Sequence, residues 1–124
     1  MITSPGHAGS FAARLGSATA FSGNSTLSQT VAIPSNLRRL VFFYNPHCTG
    51  SITFDQIQMQ IRDTAGATLA TVLNVCSNSG TWTRKSFKLP ASVRGQTVVL
   101  WFNVHDDGNP ANPTYALIDD VSLN

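Results

Sequence analysis

The chain contains no glutamate, and charged side chains of both signs make up only 11% of its 124 residues, far below the roughly 25% usual in soluble globular proteins. Positive charge is as scarce as negative. Eight Lys and Arg against six Asp leave a formal net charge of +2, and no basic run exceeds the pair Arg38-Arg39. That excludes a nucleic-acid footprint, which needs clustered cations to displace counterions from phosphates. No apolar stretch approaches the roughly 20 residues that span a bilayer, so membrane insertion is not expected. Helical periodicity never persists beyond a turn or two.

Signatures of catalysis are missing too. GxSxG, HExxH and the Walker A loop are absent, and no serine stands out as a nucleophile. A glycosidase built without Glu would need two Asp at the proper separation, whereas adjacent Asp residues on a strand point to opposite faces. The sequence therefore argues against an enzyme. Its N-terminus lacks the basic-then-apolar pattern of a signal peptide, so a targeting signal is expected on a larger parent protein.

What is present is strand chemistry. Gln56-Ile57-Gln58-Met59-Gln60-Ile61-Arg62 alternates apolar and polar side chains over seven residues, the period of a half-buried strand. Comparable runs occupy 10–15, 26–33, 40–44, 69–75, 82–89, 97–105 and 115–123. They are separated by turn-forming segments such as Asp63-Thr64-Ala65-Gly66 and Asp107-Gly108-Asn109-Pro110. About eight closely spaced strands predict an all-β, antiparallel β-sandwich of jelly-roll type. Residues 1–8 read as a linker or cloning remnant and 9–124 as a single module.

If successive strands reverse direction, every connection falls at one of two ends. Cys48 and Cys76 fall at the same end, as a disulfide requires, and one is expected in a chain of extracellular composition. Two buried thiols are the alternative. Asp55, Asp106, Asp107, His47 and His105 share that end. Its oxygens suit Ca²⁺, and a transition metal held by His47, His105 and an Asp is a second option. A polar turn with no metal is the third.

Asp119 and Asp120 form another adjacent acidic pair. If Val121 and Leu123 face the core, Asp119 does too, and it then needs a partner: backbone N–H groups, Arg14 or a structural cation. The remaining candidate is a sheet face. Trp101, Asn103 and His105 share one side of their strand, and Gln56, Gln58, Gln60 and Arg62 one side of theirs. An aromatic plate beside amide and guanidinium donors suits a sugar ring. The plain alternative is a solvated sheet face with Trp101 tucked under a loop.

The segments "GSFAARLG" (9–16), "LSQTVAIP" (27–34), "FDQIQMQIRDTAGATLATV" (54–72), "GQTVVLWFNVHDDG" (95–108) and "ALIDDVSL" (116–123) together resemble bacterial MAM-like and galactose-binding-like jelly-roll modules. Such modules occur at the C-termini of secreted peptidases and other exported enzymes and include many carbohydrate-binding modules. The resemblance implies a structural Ca²⁺ beside the last strand, at Asp119 or Asp120, and a recurring Asp at position 55. The His105-Asp106-Asp107-Gly108 loop and the Cys48–Cys76 pair look like a subgroup feature, so the resemblance implies no ligand role for His105, Asp106 or Asp107. The function expected is a secreted, non-catalytic accessory module that binds a glycan or cell-surface polymer, with its parent enzyme in cis. The alternative is a structural or protein-interaction domain of an exported peptidase with no small ligand.

Overall fold

The computed structural model describes residues 2–3, 12–19 and 21–124. Its elements are β1 (Ile2–Thr3), β2 (Ala12–Gly16), β3 (Ser22–Ala32), β4 (Arg39–Cys48), β5 (Gln56–Arg62), β6 (Thr68–Val75), β7 (Thr83–Lys88), β8 (Thr97–Asp107) and β9 (Thr114–Leu123). They build two antiparallel sheets, β1-β2-β9-β4-β7 and β3-β8-β5-β6, so the chain is the all-β jelly-roll sandwich that its alternation predicts. Each of the eight predicted strands is found, and β1 is added by pairing Ile2 and Thr3 with Ala13 and Ala12. Residues 10 and 11 of the first predicted strand, and 1 and 4–8 of the predicted linker, lie outside the described residues. Among the described residues no helix is long and apolar enough to cross a membrane.

Alternation becomes packing most directly in β5, where Ile57, Met59 and Ile61 are all essentially inaccessible to solvent and the residues between them are half-buried. Phe42 of β4 and Phe102 of β8 bridge the two sheets edge to face, with ring centroids 5.3 Å apart. Leu40, Val98 and Val104 fill the space around them. Each such side chain withdrawn from water stabilises the fold by about 1.5–3 kcal/mol. On β3, an edge strand, Leu27 stays exposed and lines an apolar cleft of about 210 Å³ with Leu100, Phe102 and Val121.

The Cys48–Cys76 disulfide forms, with Cα atoms 5.2 Å apart. Its placement follows from the topology, since β4 and β6 both run toward the end where β8 delivers Asp106.

β9 departs from regular pairing. Phe43 pairs with Asp119 and Val41 with Ser122, so two β9 residues stand opposite Phe42 alone. Asp120 takes φ +53°, a left-handed conformation that Asp tolerates better than most residues. This bulge corrects the expectation that Val121, Leu123 and Asp119 share the core side. Ala116 and Ile118 are buried in the core, Asp119 stands on the other side with Leu117 and Tyr115, and Val121 is exposed. One inserted residue shifts the alternation, and Leu123 returns to the core only beyond it.

Candidate functional site

Two features stand out, and the same strands carry both. On the outer face of the four-stranded sheet, four successive rows cross β3, β8 and β5: Thr30, Val99, Arg62; Ser28, Trp101, Gln60; Thr26, Asn103, Gln58; and Asn24, His105, Gln56. Thr68, Thr71 and Asn74 of β6 extend the first three rows. At two residues per row the face runs about 20 Å along the strands.

Its centre is a hydrogen-bonded amide ladder. Asn103, almost fully buried, donates from Nδ2 to Asn24 Oδ1 at 2.9 Å and to Gln58 Oε1 at 3.2 Å, while its Oδ1 accepts from Thr26 Oγ1 at 2.7 Å. His105 Nδ1 stands 3.2 Å from the same Asn24 oxygen. An amide oxygen can only accept, so Nδ1 is the donor in this contact. Cross-linking three strands in this way fixes the side chains before any ligand arrives.

One row away, the guanidinium of Arg62 lies over the indole of Trp101, with Cζ 3.5 Å from the ring centre. Arg62 Nε donates to Gln60 Oε1 at 2.9 Å, and Thr68 Oγ1 donates to the same oxygen at 3.0 Å. Trp101 is half-buried and belongs to the open face, not to the core.

The second feature is at the end of the sandwich. Asp55 and Asp106 are buried, Asp107 is exposed, and one ligand oxygen from each lies within 4.8 Å of the others. Backbone N–H groups hold these carboxylates. Asp107 N donates to Asp55 Oδ1 at 3.0 Å, Thr114 N to Asp106 Oδ2 at 3.2 Å, and Gly108 N to Asp106 Oδ1 at 3.0 Å. Gly50 lies so close that a Cβ there would overlap the Asp55 carboxylate. Burial pushes the Asp55 carboxyl above its ordinary range; the Asp107 N–H opposes this, and the neighbouring charges of Asp107 and Asp106 add to it. Three converging carboxylates form a group that could hold a metal ion.

The structure separates the other predicted residues from these two features. His47 is on the outer face of the five-stranded sheet, stacked on Tyr115, and so does not share the face of Trp101, Asn103, His105, Gln58 and Arg62. The sandwich puts a whole core between them. Neither His47 nor His105 belongs to the acidic group. Asp119 and Asp120 are not part of it either; they sit at the β9 bulge, where Asp119 Oδ1 accepts the Asp120 N–H at 2.8 Å. Arg14 pairs in register with Leu117, two residues before Asp119, and so shares its side of the sheet. Asn24 and Thr26 are site residues that the sequence did not single out.

No family model matches the chain, and no curated protein matches it. Solved structures do. TmCBM61 in complex with β-1,4-galactotriose superposes with a TM-score of 0.65 at 18% identity, over 95% of this chain and 72% of that one. A family 16 carbohydrate-binding module gives a TM-score of 0.59 at 15% identity, over 99% of this chain and 83% of that one. The K1 cleaved adhesin domain of Lys-gingipain from Porphyromonas gingivalis W83 gives 0.57 at 17% identity, over 96% and 76%. The chain thus has the β-sandwich fold of carbohydrate-binding modules.

Proposed function

We propose that this chain is a non-catalytic module that binds carbohydrate on the outer face of the β3-β8-β5-β6 sheet. The observation that carries the proposal is the Asn103-centred ladder beside Trp101. It is an array of fixed amide and hydroxyl groups flanking one aromatic, on a face about 20 Å long. Sugar hydroxyls both donate and accept, and amides answer both roles; an indole covers the apolar face or edge of a ring. The fold shared with TmCBM61 and the family 16 module supports the same reading.

The acidic group of Asp55, Asp106 and Asp107 serves this face from its end. We assign it Ca²⁺, because hard carboxylate and carbonyl oxygens on loops are the ligands Ca²⁺ takes. The role given to the ion is to tie the β8–β9 connection to Asp55 at the start of β5. The disulfide fits an oxidising compartment, so the module is assigned to a secreted protein, carried in cis by an exported parent in the manner of MAM-like C-terminal modules.

The test is binding of soluble oligosaccharides and polysaccharides by affinity electrophoresis and calorimetry. Trp101→Ala is expected to abolish binding and Asn103→Ala to weaken it by roughly tenfold, about one buried hydrogen bond's worth. Tyr115→Phe, on the outer face of the opposite sheet, should bind like the parent. Binding unaffected by Trp101→Ala would remove the proposed face.

A further inference from the structure

The four rows of the outer face carry one permanent charge, Arg62, and no carboxylate among the described residues. The neighbouring Asp63 is committed to the β5–β6 turn, where its Oδ1 accepts from Ala65 N at 3.0 Å and Ala67 N at 2.8 Å. Along the same side of β8 the next carboxylate is Asp107, eight residues beyond the Arg62 partner Val99, roughly 26 Å away at the rise of a strand. At that distance its field on the guanidinium is screened at physiological salt.

Arg62 is also held in place. The indole of Trp101 supports its flat side, and Gln60, itself bound by Thr68, fixes Nε. What remains is the pair of terminal nitrogens, a planar fork whose N–H groups match two oxygens of one anionic group. A guanidinium already ordered on an aromatic loses little further freedom when it binds, so its hydrogen bonds are realised at low entropic cost. The same stacking occupies one face of Trp101. A neutral sugar that stacks there must first displace Arg62, whereas a sugar bearing a carboxylate or sulfate ester meets Arg62 where it stands.

We propose, building on the carbohydrate-binding assignment above, that this face selects acidic glycans and seats the sugar's oxyanion on the Arg62 fork against Trp101. Carboxylate and sulfate share the chemistry, and the experiment separates them.

The intact chain is titrated with polygalacturonate and with its methyl ester, which is the same backbone without charge. A sulfated galactan is compared in the same way with its desulfated form, and neutral β-1,4-galactan is included. The expected result is binding to one acidic polymer at least about tenfold tighter than to its neutral counterpart, the yield of a charge-assisted hydrogen bond or two. Arg62→Gln should erase that difference. Arg62→Lys should restore only part of it, since Lys keeps the charge without the fork. Whichever acidic polymer shows the difference identifies the oxyanion.

Trp101-dependent binding of neutral and acidic forms alike would overturn the selectivity and leave carbohydrate binding standing. Acid preference that survives Arg62→Gln would assign it to the general basic charge of the chain and overturn the proposal as well. Binding to none of the five polymers would overturn both readings together.

Discussion

The imidazole of His47 and the phenol ring of Tyr115 lie parallel, with centroids 4.2 Å apart and planes inclined by only 5°. The register of β4 and β9 makes them direct partners, one residue before the pair Cys48 and Thr114. The stack covers the outer side of the disulfide-bearing strand end. A Cβ on Gly80 would sit 3.5 Å from His47 Cε1, so the turn after Cys76 closes over the ring from above.

That cover has a pH signature. Burial lowers the His47 pKa below its ordinary 6.5, so protonation is harder in the folded chain than in the unfolded one. The stabilisation is fully present above the ordinary value and is lost as pH falls below it toward the lowered one. Thermal melts between pH 8 and pH 5 should show a small acid-side loss that His47→Phe, which keeps the stacked ring, removes. An identical pH profile in the variant would show that the imidazole contributes nothing to it.

Asp55 has the opposite sign. Its carboxyl is raised by burial and by the charges of Asp107 and Asp106, so the folded chain holds its proton more tightly than the unfolded chain, and stability from this group falls as pH rises through that window. In chelator at neutral pH, Asp55→Asn should melt higher than the parent, because an amide keeps the Oδ1 acceptor for Asp107 N and sheds the repulsion. Added Ca²⁺ should raise the parent's melting temperature, with a gain of about 2.7 kcal/mol at a hundredfold excess over the dissociation constant. The variant should respond weakly or not at all. A variant that melts lower than the parent in chelator would mean that repulsion within the cluster is not what limits stability.

Gly50 has no side chain for a contact reason. A methyl group there would overlap the Asp55 carboxylate, and Asp55 is anchored by the Asp107 N–H. Gly50→Ala should therefore cost about 1–3 kcal/mol in urea unfolding, the usual range for overpacking, and should blunt any Ca²⁺ response by moving Asp55. A neutral effect on both would show that the 49–55 loop yields freely.

The Cys48–Cys76 bond closes a loop with a sequence separation of 28. Chain-entropy arguments put its contribution at about 3–4 kcal/mol. The double substitution of both cysteines by Ala, or reduction of the parent, should lower the urea midpoint accordingly, with the β-sheet circular-dichroism signal retained below it. No change on reduction would mean that the pairing constrains the unfolded chain far less than its length predicts.

Strand identity was legible because it is local. Alternation in 56–62 and 97–105, turn residues between the runs, and the reversal of successive strands were enough to predict the sandwich and to bring Cys48 and Cys76 to one end. The same parity argument placed Asp55, Asp106 and Asp107 together. It also placed His47 at that end, without telling that it would stand on the opposite outer face from Trp101.

The failures share a cause. Side-chain direction along a strand is predictable only while every residue pairs one to one, and the bulge at Asp120 ends that for β9; no residue in Leu117-Ile118-Asp119-Asp120-Val121 announces an extra one. Asn24 and Thr26 escaped notice because their importance lies in having β8 as neighbour. Neighbours in a sheet are set by topology, whereas the sequence shows only the order of strands along the chain. Composition and periodicity thus determined that this chain is a β-sandwich with a polar face and an acidic end. Which side chains meet on that face, with Asn103 tying three strands and Arg62 lying on Trp101, was decided only when residues dozens of positions apart came into register.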